Sequence, residues 1–156
     1  MLRRVLRGIY DKPKFNTLIH EYSVPIPEQI AHAIARNHNW TISASGNTAL
    51  NQLGLSTQVP ADWSYFSSGP YKEYRFGNVT LTFAHRSDSQ MIGMSKKTLL
   101  LIQALKELGP DNISEIDMKR LRNRFTDDDW QIILTESRHT FSWIYEVIKE
   151  ICMLER

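Results

Sequence analysis

Basic side chains are concentrated in the first fourteen residues of this 156-residue chain, and their types and spacing suit phosphate binding. That stretch holds five cations and one anion, a formal charge of +4, whereas the whole chain carries only +2. Guanidinium groups form paired hydrogen bonds with phosphates, and clustered lysines add attraction to any polyanion. A cationic edge strand that resists aggregation is the alternative, and physical reasoning alone leaves both open. The candidate DNA-binding residues are Arg3, Arg4, Arg7, Lys12 and Lys14.

Two other charged runs are better explained by helix formation. Residues 119–124 carry four cations, and Arg120 and Arg124 share one helix face, so they are a secondary candidate for phosphate contact. Acids on both sides of this run favour ion pairing on a solvated face instead. The three consecutive acids at 127–129 point in different directions at a predicted helix start, which favours capping over metal binding.

A third group combines hydroxyl, aromatic and basic side chains near predicted turns. His85 and Arg86 follow a predicted strand and could bind phosphate or transfer a proton, although a polar strand end is the plainer interpretation. Residues 65–72 have a composition typical of recognition surfaces and equally typical of a hairpin. The candidate partner-binding residues are Asn47, Tyr65, Ser68, Tyr71, Lys72, His85 and Arg86.

Signatures of common enzymes and metal sites are missing from the sequence. There is no glycine-rich phosphate loop, no His-Glu-x-x-His pair and no nucleophile elbow. The single cysteine, Cys152, and the five histidines are not spaced as metal ligands. We therefore predict no catalytic residue, no metal and no cofactor. No apolar run approaches the roughly 18 to 20 residues that cross a bilayer, so we expect a cytoplasmic protein without a membrane partner.

The sequence pattern predicts an α+β fold for the elements that position these groups. It comprises a remnant wing strand, a small antiparallel sheet in the middle and a helical C-terminal half. Residues 4–10 predict one strand that ends before Pro13. No complementary strand precedes it, so we expect the chain to begin inside a larger element. We predict a wing remnant over 1–14, a linker over 15–23 and an effector domain over 24–156.

Periodicity locates the elements of the effector domain. Apolar residues at 26, 30, 31, 34 and 35 predict a helix from about residue 27 to 37. A short strand is expected at 40–42, and Ser45 should begin a short helix that Gly54 ends. Strands at 63–67, 72–76 and 79–84 predict a three-stranded meander. Helices are expected from residue 96 to 108 and over 114–123, 127–137 and 141–154.

Several short motifs resemble the AbiEi-type antitoxins, which are the regulators of type IV (abortive-infection) toxin–antitoxin pairs. The resemblance covers most of residues 1 to about 125 and is clearest between 30 and 90. Its first motif, Leu6-Arg-Gly-Ile-Tyr10, is similar to the wing strand of that family's winged helix-turn-helix. The others are Ala33-Ile-Ala-Arg36, the run from Ser45 to Ser56, Gln58-Val-Pro60, Ser68-Gly-Pro-Tyr-Lys72 and Phe83-Ala-His-Arg86.

This resemblance implies an antitoxin and transcriptional autorepressor. Its partners would be operator DNA and a nucleotidyltransferase-like toxin encoded beside it. In that family the recognition helix precedes the wing, and no residue precedes Met1 here, so we expect DNA binding to be weakened or lost. Two alternatives remain open at this stage: a nuclease-like enzyme, which needs acids converging on a metal, and a pure protein-interaction module.

Overall fold

The computed structural model describes residues 2–56, 61–86 and 94–156, so the Gln58-Val-Pro60 motif lies outside the described residues. The strands are β1 (Arg3–Leu6), β2 (Ile9–Asp11), β3 (Phe15–Asn16), β4 (Glu21–Tyr22), β5 (Ile42–Ala44), β6 (Asp62–Ser67), β7 (Lys72–Phe76) and β8 (Val79–His85). The helices are α1 (Pro27–His38), α2 (Gly46–Gln52), α3 (Lys96–Leu108), α4 (Glu115–Arg124), α5 (Asp127–Glu136) and α6 (Ser142–Cys152). The α+β class and the helical C-terminal half are confirmed.

The basic N-terminal segment is a β-hairpin. β1 pairs antiparallel with β2, and the chain reverses at Arg7 and Gly8. Gly8 has φ +77°, a left-handed conformation that glycine adopts without the penalty of a Cβ. The prediction of one strand over 4–10 with a missing partner is therefore wrong, because the partner strand is the second half of the same segment.

The segment predicted to be a linker contains a second hairpin, formed by β3 and β4. Backbone bonds close its base, where Ser23 N donates to Lys14 O at 2.7 Å and Lys14 N donates to Ser23 Oγ at 2.9 Å. At the other end Leu18 N donates to Asn16 Oδ1 at 2.9 Å. Hydrogen bonds at the base and at the tip therefore stabilise this hairpin.

Helix α1 forms as its apolar spacing predicts. Pro27 begins the helix, and the buried stripe is Ile30, Ala31, Ile34 and Ala35. The helix ends at Asn39, which has φ +56° and whose N–H bonds to the carbonyls of the last turn. Ile26, predicted to join the stripe, is exposed because it precedes the first helical turn.

The central sheet is mixed, with the order β5, β6, β8, β7. The prediction of a meander is wrong, because β8 lies between β6 and β7 and runs parallel to β6. Strand composition explains this order. β8 carries Leu81 and Phe83, both fully buried, whereas β7 carries Lys72, Glu73 and Arg75 and lies at the edge, where charged side chains reach water. The strand predicted at 40–42 forms two residues later, as β5.

The C-terminal helices pack on one another and on α2, with a core of Leu101, Leu105, Ile133, Ile144 and Ile148. Side chains cap the starts of α3, α4 and α5. Ser114 and Thr126 each form a capping box with the acid three residues later. In the parts of the chain that the structure describes, no helix has the length and apolar character needed to cross a membrane.

Candidate phosphate-binding hairpin and partner surface

Four exposed cations lie in the first hairpin and in the segment that follows it. Within the described residues, the side chains of Arg4, Arg7, Lys12 and Lys14 form no ion pair or hydrogen bond. Arg4 lies directly across from Tyr10 on the paired strand, and Arg7 lies in the turn. Lys12 directly follows β2, and Lys14 lies at the base of the second hairpin. The basic segment therefore holds four charges without a counter-charge among the described residues.

Arg3 differs from the other predicted DNA-binding residues. Its guanidinium donates to both carboxylate oxygens of Asp11, with Nε 2.9 Å from Oδ1, and also to Ser23 O at 2.8 Å. The hydrogen bond to Asp11 raises the pKa of Arg3 above its ordinary value. Arg3 thus ties the first hairpin to the segment after the second one. Arg3 stays a predicted phosphate ligand, with its Nε and Nη2 atoms already donating to Asp11 and Ser23.

Helix α1 adds a cation that the sequence prediction did not include. Arg36, exposed in the last turn of α1, lines a groove of about 940 Å³ together with Lys12 and Lys14. Its side chain also has no partner in the described part of the chain. A lysine or arginine near a helix C-terminus is expected from the helix dipole alone, so no local signal marks Arg36 as different. Only the packing of β2 against α1 brings it beside the hairpin.

Five of the seven predicted partner-binding residues meet at one end of the central sheet. The parallel register of β6 and β8 pairs Ser67 with His85, so the residues that follow both strands lie side by side. The edge strand β7 begins at the same end, since Lys72 pairs with Phe83. This sheet end comprises Ser68, Tyr71, Lys72, His85 and Arg86.

The polar groups of the sheet end are oriented by local contacts. His85 Nδ1 lies 2.8 Å from Gly69 O, so Nδ1 carries the proton and Nε2 remains an acceptor in the neutral ring. Arg86 lies over the Phe66 ring, 4.2 Å from its centroid, and donates to His85 O. Lys72 is exposed and makes no ion pair within the described ranges. Two cations beside an imidazole can bind an acidic group of a partner.

Gly69 is required at the sheet end by close packing. A Cβ at this position would penetrate the Trp40 ring, which crosses the glycine backbone. The Trp40 ring stacks on His38 with centroids 4.5 Å apart and meets the Phe83 ring edge-on at 5.6 Å. These contacts fix the 68–70 turn against the core, and the turn carbonyl in turn orients His85.

Tyr65 and Asn47 do not belong to the sheet end. Tyr65 is only 2% exposed, so its prediction as a partner-binding residue is wrong. It stacks with Phe83, and its hydroxyl accepts a 3.5 Å hydrogen bond from Gln52. Burial, and secondarily the charge of Glu28, raises its pKa. Asn47 is exposed on α2, which follows the end of β5 that lies away from Ser67.

Asp127 and Asp129 are engaged in ion pairs and capping, and capping is what the sequence predicts for this helix start. Asp129 completes the capping box and pairs with Lys97 at 3.0 Å. Asp127 pairs with Arg156 at 3.0 Å and Arg122 at 3.1 Å, and hydrogen bonds from these two arginines lower its pKa. No cluster of acids, histidines or cysteines suited to a metal occurs among the residues described.

Comparison with known proteins gives one result. The model of DUF6088, a family of unknown function, matches residues 1–131, which include both hairpins and the central sheet. Searches of curated proteins and of solved structures find no match. Because the matched region is most of the sequence, the chain belongs to the family of unknown function DUF6088.

Proposed function

We propose that this protein is an antitoxin-type transcriptional regulator. In this proposal the first hairpin contacts the phosphate backbone of operator DNA, and the sheet end contacts a nucleotidyltransferase-like toxin. The observation that carries the DNA contact is a set of four exposed cations in and directly after the first hairpin, Arg4, Arg7, Lys12 and Lys14, which have no partner among the described residues.

A comparison within the chain supports the choice of this hairpin. The basic run at 119–124 has a similar charge density in the sequence, but half of its cations are engaged. Arg122 pairs with Asp127 at 3.1 Å, and Arg124 donates to Gln52 O at 3.3 Å. The four cations of the N-terminal segment have no such partners in the described parts of the chain, so they are available to phosphates.

The shape of the element also supports the proposal. A two-stranded β-ribbon is one of the elements that fits a DNA groove, and cations on such a ribbon face the phosphates along its sides. Each phosphate neutralised lowers the slope of log K against log salt by about 0.9. Four contacts therefore give a slope of about −3.6, with affinity in the range of about 10⁻⁴ to 10⁻⁶ M typical of non-specific binding. Weak, strongly salt-dependent DNA binding is the expected behaviour.

The sheet end supports the partner contact. A nucleotidyltransferase-like toxin would hold its metal ions with acidic side chains. Lys72, Arg86 and the imidazole of His85 are suited to pair with acids. An exposed tyrosine beside them, Tyr71, adds the aromatic character common in interface hot spots.

DNA-binding titrations with matched variants test the proposal. One variant replaces Arg4, Arg7, Lys12 and Lys14 by alanine. The control replaces Lys96, Lys119, Arg120 and Arg138, which are exposed in the helical half and have no partner among the described residues. We expect the hairpin variant alone to lose binding to duplex DNA from upstream of its gene. Greater loss in the control would move the DNA contact to the helical half and refute the assignment.

The toxin contact is tested by co-purification with the product of the adjacent gene. A Lys72→Glu, Arg86→Glu variant should lose the complex while keeping its DNA affinity. A neighbouring gene product that is not toxic, or a complex indifferent to this variant, would contradict the antitoxin part of the proposal.

A further inference from the structure

Exposed large apolar side chains are concentrated in one part of the molecule. Seven of them lie between residues 10 and 26, and their exposed fractions range from 48% to 90%. Six others are spread singly over the remaining described residues. Scattered apolar residues are normal on a protein surface, but a contiguous group marks an interaction site. The seven residues are Tyr10, Phe15, Leu18, Ile19, Tyr22, Val24 and Ile26.

The second hairpin holds this apolar group in a defined arrangement. Leu18 and Ile19, at its tip, are 90% and 60% exposed. Phe15 and Tyr22 pair across the strands with ring centroids 5.0 Å apart. A hairpin with two residues in each strand is at best marginally stable alone. Because its apolar side chains face outward, the stabilisation that burial would supply requires another surface.

A groove adjoins the second hairpin and is lined by both apolar and cationic residues. Tyr10, Val24 and Ile26 lie on its walls and supply apolar contact. Lys12 and Lys14 come from the hairpin side, and Arg36 comes from α1. Of the two acids at the groove, Asp11 pairs with Arg3, and Glu28 lies 3.9 Å from His32, which offsets its charge only when the imidazole is protonated. Three cations against Glu28 alone give the groove a net positive charge.

We propose that this groove and the tip of the second hairpin dock an acidic segment of a partner protein that also presents apolar side chains. Charge complementarity selects the acidic character, since the three unpaired side chains of the groove are cations. The apolar group selects a protein, because a phosphate backbone would leave Leu18 and Ile19 exposed. A second copy of this chain is disfavoured, since residues 2–56 carry six cations and three anions and would repel one another.

This surface is separate from the sheet end and does not depend on the antitoxin assignment. It does share Lys12 and Lys14 with the proposed DNA contact. An acidic protein segment and DNA should therefore exclude each other, so that occupancy of the groove by the partner releases DNA.

A displayed library of random peptides of about sixteen residues, long enough to lay a helix in a groove, tests the docking surface directly. We expect the peptides selected by the whole chain to be acidic and to contain leucine, isoleucine or aromatic residues. Their affinity should fall at least about tenfold for a Leu18→Ser, Ile19→Ser variant, which is about 1.4 kcal/mol. A Lys12→Glu, Lys14→Glu, Arg36→Glu variant should instead select basic peptides.

Matched controls separate this surface from general stickiness. An Ile116→Ser, Ile132→Ser variant removes two exposed apolar residues of the helical half and should leave peptide binding unchanged. Failure to select peptides, or selection of peptides indifferent to the groove variants, would overturn the proposal. The proposal would also be overturned if the parent chain bound anionic phospholipid vesicles, or associated with itself in sedimentation, and the Leu18→Ser, Ile19→Ser variant abolished that binding. None of these readouts uses DNA, so their failure is distinguishable from failure of the DNA contact.

Discussion

Replacing Gly69 by alanine should destabilise the protein through one steric conflict. The added Cβ would overlap the Trp40 ring, and the turn backbone cannot retreat because Ser68 is bonded to Thr41. Overpacking of this kind costs about 1 to 3 kcal/mol. If Trp40 moves instead, it weakens ring contacts with His38 and Phe83, each worth about 0.5 to 1.5 kcal/mol. By either route we expect a loss of about 1 to 3 kcal/mol in the free energy of unfolding.

The assay is equilibrium unfolding in urea, followed by circular dichroism. Gly77→Ala is the matched control, because no atom lies within 4 Å of its added Cβ. Gly77 has φ +56°, so alanine there costs about 1 to 2 kcal/mol through backbone conformation alone. The two substitutions thus separate steric overlap from backbone strain.

A second change tests the cause. Trp40→Leu removes the ring that the new Cβ would meet, so it should relieve part of the cost of Gly69→Ala and none of the cost of Gly77→Ala. Contacting residues show coupling energies of about 0.5 to 3 kcal/mol in such double-mutant cycles. A Gly69→Ala change within about 0.5 kcal/mol of the parent, or coupling equal for both glycines, would refute the packing argument.

Three further predictions concern the helical half and the first hairpin. Glu136→Gln should lower the free energy of unfolding by about 1 to 3 kcal/mol, because the carboxylate accepts bonds from Ser95 and from the buried Thr98 hydroxyl. Burial raises the pKa of Glu136, but these hydrogen bonds outweigh it and hold the pKa below its ordinary value. Urea unfolding should therefore show the stability deficit of the variant at pH 7 and a smaller deficit near pH 3, where the carboxylate of the parent becomes protonated. A deficit that does not change with pH would contradict this. Thr126→Ala should cost about 1 kcal/mol in calorimetry through loss of the capping box, whereas Thr135→Ala, at an exposed position in the last turn of α5, should cost less. Asp11→Ala should free Arg3 and speed tryptic cleavage after Arg7 and Lys14, and an unchanged cleavage rate would argue against the tie between the hairpins.

The helices could be predicted because their determinants are local. The apolar stripe of α1, the caps at Ser114 and Thr126 and the stop at Gly109 each depend on residues within a few positions. Their bounds in the structure agree with the predicted ones to within one or two residues.

The order of the sheet could not be predicted in the same way. Turn residues at 68–70 and 77–78 indicate where strands end but not which strand becomes a neighbour. β8 lies between β6 and β7, and its Leu81 and Phe83 side chains are fully buried there. Such burial depends on contacts between elements distant in the sequence, so no local pattern predicts it. The same applies to Tyr65, whose hydroxyl suggested a surface residue and whose ring packs in the core.

The candidate site was predictable in composition and not in detail. Charge counting locates the basic segment, but the pairing of Arg3 with Asp11 follows from the hairpin register. Arg36 joins the hairpin cations only because β2 packs on α1. The apolar tip of the second hairpin lies in a segment too short for a periodic pattern to predict strands.

The salt dependence of DNA binding tests the central claim most directly. With four phosphate contacts, the affinity of the parent chain for duplex DNA should fall roughly 100-fold between 50 and 200 mM salt, a slope of about −3.6. The Arg4, Arg7, Lys12 and Lys14 alanine variant should have a slope close to zero, while the control variant of the helical half keeps the parent slope. A parent slope near zero, or one that the hairpin variant leaves unchanged, would contradict the assignment of the first hairpin to DNA.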